Sequence, residues 1–137
     1  MQYKSLNEVD LSNKTVLLRS DLNTPIENGL VANNERILRS LPTLNFIIDA
    51  GARLVIMSHL GRPEENDKFQ EEFSLLPVVN EIENLLNKKI MFYNLGEFEK
   101  LDKIPKISVI ENTRFCIGEK SNDIDLSKRL AGLGDLI

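Results

Sequence analysis

Short apolar runs that alternate with helical patterns are the feature that most constrains how this chain can fold. The runs are four to six residues long, rich in leucine and β-branched side chains, and occupy residues 14–19, 53–57, 89–93 and 107–110. Helical patterns accompany them over residues 35–50, 74–86, 97–101 and 123–132. Strands and helices in this alternation form a parallel sheet joined by right-handed crossovers. The sequence therefore predicts an α/β fold with a parallel β-sheet and helices on both faces.

Local signals refine the first part of this prediction. The Asn-Gly pair at 28–29 is typical of a tight hairpin outside the main sheet. Pro42 lies inside the first helical pattern and predicts a kink or an irregular turn, because proline lacks a backbone donor. Asn33 or Asn34 is expected to cap that helix, and Gly51 is expected to end it.

Two later stretches carry weaker signals. Residues 64–73 are polar and acidic without periodicity, so we expect a mobile surface loop there, followed by a helix that Ser74 caps. Residues 135–137 resemble the first residues of a fifth strand. Since a natural domain rarely ends inside a buried strand, the sequence predicts a piece of a longer protein.

The composition narrows the classes of function. With 137 residues and a net charge of −4, the chain suits one domain with an ordinary core and is too acidic for general nucleic-acid binding. The single cysteine, Cys116, excludes an internal disulfide, and one histidine without a thiol cluster argues against a zinc site. The first residues carry no targeting pattern, and no apolar run is long enough to span a membrane. We therefore expect a cytoplasmic protein.

Polar and charged side chains follow the ends of three predicted strands and begin the first helix. Because the carboxyl ends of parallel strands meet at one edge of a sheet, these side chains are expected to lie together. The set comprises Asp21, Asn23, Arg36, His59, Arg62 and Arg114. Three guanidinium groups and an imidazole at one edge of an acidic protein predict a site for a small polyanion.

Each of these residues has a simpler explanation when it is taken alone. A lone histidine at a strand end is more often a hydrogen-bonded structural residue than a ligand contact, and single arginines are usually solvated. Asp21 and Asn23 suit an ordinary turn, and Cys116 is better explained as a structural thiol than as a nucleophile. The chain has no Walker A motif, and the Gly-Leu-Gly at 132–134 follows a helix, unlike a dinucleotide-binding turn. Convergence at one edge is what favours a binding site.

Four segments that carry these residues resemble signatures of the phosphoglycerate kinase family, specifically of its N-terminal, acid-binding domain. They are RSDLNTP at 19–25, NNERI at 33–37, MSHLGRP at 57–63 and IENTRF at 110–115. GEKSND at 118–123 is also similar, and the resemblance covers essentially the whole chain. It implies a Rossmann-like sheet, with residues 1–137 forming a truncated N-terminal domain that lacks the nucleotide-binding C-terminal domain.

The resemblance also implies a role for each site residue. Arg62, Arg114 and His59 would hold the 3-phosphate of 3-phosphoglycerate, and Asp21 and Asn23 would take its hydroxyl group. Arg36 would reach the substrate carboxylate and act as the catalytic residue, by stabilising charge on the phosphoryl group in transfer. No metal or cofactor site is expected in this chain, since the family binds Mg-ATP or Mg-ADP in the other domain.

The implied parent is a cytoplasmic, monomeric kinase of glycolysis and gluconeogenesis that moves a phosphoryl group between ATP and the carboxylate of 3-phosphoglycerate. The isolated chain is expected to be inactive, because closure onto a second domain is missing. An alternative is a stand-alone module that binds phosphate or phospho-acids without catalysis. Departures from the family pattern, such as Leu22 for phenylalanine and Thr113 for leucine, lie between the predicted contacts.

Overall fold

A four-stranded parallel sheet lies at the centre of the computed structural model, which describes residues 3–137. Met1 and Gln2, which begin the predicted domain, lie outside the described residues. The strands are β1 (Thr15–Arg19), β2 (Ile26–Glu27), β3 (Leu30–Val31), β4 (Arg53–Met57), β5 (Met91–Tyr93) and β6 (Ile107–Ile110). The main sheet has the order β1-β4-β6-β5, all parallel, and β2 and β3 form the predicted hairpin. The predicted parallel α/β fold is confirmed.

Helices cover both faces of this sheet. They are α1 (Glu35–Asp49), α2 (Leu76–Leu86), α3 (Leu95–Glu99) and α4 (Ile124–Ala131). Side chains of β4 alternate between the faces, so that Leu54 and Ile56 pack with α1 and α2, whereas Val55 and Met57 pack with α3 and α4. Complete burial of such a side chain contributes about 1.5–3 kcal/mol, so a strand buried on both faces is strongly fixed in register.

The first helix ends as the sequence predicts. Gly51 has a φ of +82°, its N–H donates to the Ile48 carbonyl, and the N–H of Ala52 donates to the Ile47 carbonyl. This pair of bonds closes the last turn around a left-handed residue that glycine adopts without a Cβ penalty. At the other end, the Asn33 side chain accepts the Glu35 N–H at 2.9 Å. Asn33, and not Asn34, therefore satisfies the first free donor of α1.

Pro42 does not interrupt α1, which runs continuously from Glu35 to Asp49. The predicted irregular turn is therefore wrong. Pro42 and Leu38 are both exposed, so the Leu38 carbonyl that lacks its usual donor lies on the solvent side, where water can bond to it. A carbonyl in this position can be hydrated, so the helix tolerates the proline.

Residues 64–73 form the predicted surface loop, with contacts that the sequence did not predict. They end in a short 3-10 helix, Glu71–Phe73, and Asp67 is fixed to a distant segment. Its N–H donates to the Phe115 carbonyl at 2.8 Å, and its carboxylate accepts the Ile117 N–H at 2.9 Å. Both partners lie about 50 residues away in sequence, which is why local composition did not reveal them.

Two helices have bounds that differ by two residues from the prediction. Helix α2 begins at Leu76 instead of at residue 74, and the Ser74 hydroxyl accepts the Leu76 N–H at 3.2 Å from just outside the helix. Helix α3 covers Leu95–Glu99 instead of residues 97–101, because Asn94 and Glu97 cap it reciprocally.

The last residues pair with β1 on the side that β4 leaves open. Leu136 forms a single parallel bridge with Val16, and its carbonyl accepts the Leu17 N–H at 2.8 Å. The predicted strand start at 135–137 is present in this reduced form. Among the described residues, none of the helices combines the length and apolar character that crossing a membrane would require.

Candidate anion-binding site

Three loops meet where β1, β4 and β6 end, and hydrogen bonds join them. The Leu22 N–H donates to the Ser58 hydroxyl at 3.0 Å, and the Gly61 N–H donates to Oδ1 of Asn23 at 2.9 Å. The Thr113 N–H donates to the Ser58 carbonyl at 3.1 Å. Since Ser58 is buried and bonded to both neighbours, the loop that contains His59 and Arg62 is held between the other two.

Asn112 is the second residue that joins these loops. Its side chain is 1% exposed, and its Nδ2 donates to the carbonyls of Leu60 at 2.7 Å and Phe73 at 2.9 Å. Its Oδ1 accepts the Arg114 N–H at 3.1 Å. A buried amide with three partners fixes the backbone from which the Arg114 side chain extends.

Gly61 allows the close approach that this arrangement needs. Its φ is +62°, and a Cβ added there would lie 2.7 Å from the ring of Phe73. A side chain at this position would therefore be strained and would push against the 3-10 helix that precedes α2.

Arg36 and Asp21 form an ion pair at one side of the site. Nη1 of Arg36 donates to both carboxylate oxygens of Asp21, at 2.9 and 3.1 Å, and the two side chains are 51% and 64% exposed. Asp21 offsets the unfavourable position of a cation in the first turn of α1. Because exposed pairs contribute only about 0–1 kcal/mol, a ligand carboxylate can compete for this guanidinium.

Arg114 is held on the other side of the site by Glu119. Nε of Arg114 donates to Oε2 of Glu119 at 3.1 Å, and Nη2 of Arg19 lies 3.8 Å from Oε1 of the same carboxylate. The Glu119 side chain is only 10% exposed. Arg19 and Glu119 were not among the predicted site residues. Arg19 could have been found, since it is the last residue of β1. Glu119 follows no strand, and the only signal for it is its place in the segment GEKSND at 118–123.

His59 lies within electrostatic reach of these groups. Burial lowers its pKa below the usual value, and the Arg114 guanidinium lowers it further. The carboxylates of Glu119 and Asp21 act in the opposite direction, and Arg19 adds a smaller decrease. The imidazole is therefore neutral at pH 7 and can donate one N–H to a ligand.

Arg62 completes the cluster as an exposed cation. In the part of the chain from residue 3 to residue 137, its guanidinium makes no ion pair and no hydrogen bond. The structure thus joins the loops that carry Asp21, Asn23, His59 and Arg114, and pairs Arg36 with Asp21. Arg62 lies exposed in the loop that follows β4, where an anion can reach it.

The chain can be compared with known proteins over almost its whole length. The sequence model of the family described as phosphoglycerate kinase matches residues 6–137. This chain belongs to the phosphoglycerate kinase family. The resemblance inferred from the four sequence segments is confirmed.

Individual phosphoglycerate kinases agree with this assignment. The enzyme of Francisella tularensis subsp. holarctica is 41% identical over 137 residues, covering 99% of this chain and 34% of the relative. That of Coxiella burnetii is 43% identical over 131 residues, covering 96% of this chain and 33% of the relative. The chain therefore spans about a third of the length of the curated relatives it matches.

Solved phosphoglycerate kinase structures share the fold. The Coxiella burnetii structure superposes with a TM-score of 0.87 at 42% identity, over 98% of this chain and 34% of that one. The Pyrococcus horikoshii structure superposes with a TM-score of 0.79 at 26% identity, over 96% of this chain and 35% of that one.

The charged cluster forms an open face and not an enclosed cavity. Two cavities among the described residues, of about 560 and 700 Å³, are not lined by any of the six predicted site residues, whereas a smaller one of about 290 Å³ is lined by Asn23 with Gly61 and Phe73. The largest one lies at the opposite, amino edge of the sheet and is lined by Lys88, Lys89 and Lys106.

The remaining reactive side chains of this family member fit structural roles. Burial raises the pKa of the Cys116 thiol, with Asp67 adding to the increase, so the thiol is protonated and unreactive at neutral pH. Among residues 3–137, no group of three or more histidine, cysteine or acidic side chains has the arrangement of a metal site.

The pH dependence of stability offers a test of the His59 environment. The folded protein holds the pKa of His59 below its unfolded value of about 6.5, so the unfolded chain binds a proton more readily. The stability contributed by neutral His59 is complete above that pH and is lost as the pH falls through it. Between about pH 7.5 and about pH 5.5, we expect the free energy of unfolding, measured with urea, to decrease more for the wild type than for His59→Asn. Because the chain has one histidine, an equal loss in both proteins would contradict the assignment.

Proposed function

We propose that the protein containing this chain is an enzyme that transfers a phosphoryl group reversibly between ATP and the carboxylate of 3-phosphoglycerate. In this proposal, residues 1–137 form the acid-substrate domain and supply the 3-phosphoglycerate site. Membership of the phosphoglycerate kinase family supports the reaction. The observation that supports the site is that hydrogen bonds join the loops of His59 and Arg114 to the loop after β1, where Asp21 holds Arg36.

The phosphate of the substrate is assigned to Arg62, Arg114 and His59. Guanidinium groups bind phosphate oxygens through paired, charge-assisted hydrogen bonds. Arg62 is exposed, and Arg114 uses only its Nε in the pair with Glu119, so both arginines have donors left for an anion. His59 adds an N–H donor to the same phosphate.

The hydroxyl and the carboxylate of the substrate are assigned to the other side of the cluster. Asn23 uses its Oδ1 to accept the Gly61 N–H, which leaves its Nδ2 to donate to the substrate hydroxyl. Asp21 is exposed and can accept from the same hydroxyl. Arg36 exchanges part of its pairing with Asp21 for the substrate carboxylate, and stabilises the charge that develops during transfer.

The nucleotide belongs, in this proposal, to a second domain within the length of the relatives that this chain does not span. Mg-ATP or Mg-ADP would bind there and be brought to the open face by domain closure. The proposed setting is the cytoplasm, as a monomeric enzyme of glycolysis and gluconeogenesis. The single cysteine of the chain is compatible with a reducing compartment.

Calorimetry with 3-phosphoglycerate tests the site. In the parent protein, Arg62→Ala and Arg114→Ala are each expected to raise the Kd about 10- to 100-fold, because each removes charge-assisted hydrogen bonds to the phosphate. Lys89→Ala is the matched control, since it removes one exposed cation at the opposite edge of the sheet. If both arginine variants bind as the control does, the site is misassigned. If the wild type binds 3-phosphoglycerate but shows no turnover with ATP, the binding-module alternative is supported.

A further inference from the structure

We infer that Glu119 is a positioning residue of the anion site, which holds the Arg114 guanidinium by one edge so that its other edge faces the ligand. This inference rests on the proposed function, because it concerns the same site. It gives a role to a carboxylate that would otherwise only oppose the binding of an anion.

The geometry of the pair leaves the useful part of Arg114 open. Nε of Arg114 donates to Oε2 of Glu119 at 3.1 Å. Within residues 3–137, neither Nη group of Arg114 has a hydrogen-bond partner. The two Nη groups form the fork that binds two oxygens of one phosphate, so this pairing orients the side chain without blocking it.

Glu119 is itself held in place by the turn that contains it. The Gly118 N–H donates to Oε1 of Glu65 at 2.9 Å, and the Glu119 N–H donates to the Cys116 carbonyl at 3.2 Å. Gly118 has a φ of +98°, and a Cβ there would lie 2.5 Å from the Cβ of Asp123. Together with the low exposure of the side chain, these contacts restrict the positions that the Glu119 carboxylate can adopt, so it holds Arg114 in one orientation.

The second oxygen of Glu119 faces another cation. Oε1 lies 3.8 Å from Nη2 of Arg19, whose side chain is 70% exposed. This contact is long and exposed, so it is weak, whereas the Arg114 contact is shorter and more buried. Glu119 therefore restrains Arg114 far more than it restrains Arg19.

The charge of Glu119 and its acceptor oxygen have opposite effects on anion binding. The negative charge weakens binding of an anion. The acceptor oxygen strengthens binding, because it restrains the Arg114 side chain beforehand and so lowers the conformational entropy lost when the ligand binds. Two neutral variants of similar length separate the effects. Glu119→Gln keeps an acceptor oxygen, and Glu119→Met does not.

Calorimetry with 3-phosphoglycerate on the parent protein measures this difference. We expect the Kd of Glu119→Met to exceed that of Glu119→Gln about 2- to 10-fold, since both variants lack the charge and only one restrains the arginine. Equal Kd values would show that Glu119 acts through its charge alone and would overturn the inference. A wild type that fails to bind 3-phosphoglycerate would instead refute the proposed function.

A second measurement needs no ligand. The ¹⁵N-¹H signal of the Arg114 Nε–H group, assigned by its loss in Arg114→Lys, reports whether this group is hydrogen bonded. We expect slow solvent exchange of this proton in the wild type and in Glu119→Gln, and fast exchange in Glu119→Met. Slow exchange in all three proteins would overturn the positioning role even if no ligand binds.

Discussion

Replacement of Arg36 by methionine is expected to lower kcat of the parent protein about 10³-fold or more, with a much smaller change in the Kd for 3-phosphoglycerate. An arginine that stabilises the charge of a phosphoryl group in transfer contributes about 10³- to 10⁵-fold to kcat in related chemistry. Arg36 is suited to this role because Asp21 holds it at the carboxyl edge of β1 by one Nη group only. Steady-state kinetics and calorimetry on the same preparation separate the two effects.

Arg39→Met is the matched control for this variant. Arg39 is one helical turn further along α1, is similarly exposed, and forms an ion pair with Glu35 on the same helix. Its replacement removes the same charge and the same volume without reaching the loop after β1. Should Arg36→Met retain kcat to within tenfold of this control, Arg36 has no catalytic role.

The strands buried on both faces are the elements that the sequence predicted best. The strands Arg53–Met57 and Ile107–Ile110 have the predicted bounds. A strand that is buried on both faces needs a continuous run of apolar residues, so the ends of the run mark the ends of the strand. The edge strand Met91–Tyr93 is two residues shorter than predicted, since pairing with β6 begins only at Met91. Apolar character alone does not define where an edge strand begins to pair.

Helix α3 was displaced in the prediction although its signal was present. Asn94 and Glu97 have the spacing of a capping box, and each side chain accepts the backbone N–H of the other. The prediction of a helical turn over 97–101 did not use this capping pair, and a five-residue helix is too short to display an apolar period. Capping residues are therefore the better guide to helices of this length.

The site was predictable to the extent that it depends on the ends of strands. The rule that parallel strands present their carboxyl ends at one edge is sufficient to bring Asp21, His59 and Arg114 together. It gives no information about Glu119, which follows no strand and pairs with Arg114 across a short turn. The bond from the Gly118 N–H to Glu65 that fixes this turn joins residues more than 50 positions apart, so it depends on tertiary packing.

Glu111 is the residue whose loss is expected to destabilise the fold most. Its side chain is buried and accepts three hydrogen bonds: from the Ser74 hydroxyl at 2.7 Å and from the N–H groups of Leu75 and Asn112, each at 2.8 Å. It thereby joins the start of α2 to the end of β6. Because its removal leaves buried donors without an acceptor, we expect Glu111→Ala to lower the free energy of unfolding by about 3–5 kcal/mol.

Two further variants make this result interpretable. Glu72→Ala removes an exposed carboxylate from the neighbouring 3-10 helix, and should change the free energy of unfolding by less than about 0.5 kcal/mol. Glu111→Gln keeps the shape of the side chain and one acceptor oxygen. Its decrease in the free energy of unfolding should therefore lie between those of Glu111→Ala and Glu72→Ala. Urea unfolding of the three variants gives the comparison, and a Glu111→Ala value close to that of Glu72→Ala would contradict the structural role.

The effect of Glu111 should extend to the anion site even where the variant still folds. Asn112 follows Glu111 directly and bonds to the loop of His59 through the Leu60 carbonyl, and Arg114 lies two residues further on. Once the Glu111 carboxylate is lost, the backbone that positions the Asn112 and Arg114 side chains is no longer fixed to the start of α2. We therefore expect folded Glu111→Gln to bind 3-phosphoglycerate more weakly than the wild type by calorimetry, although Glu111 itself touches no ligand. Unchanged affinity in a variant of reduced stability would show that the site is held by Ser58 and Thr113 without help from α2.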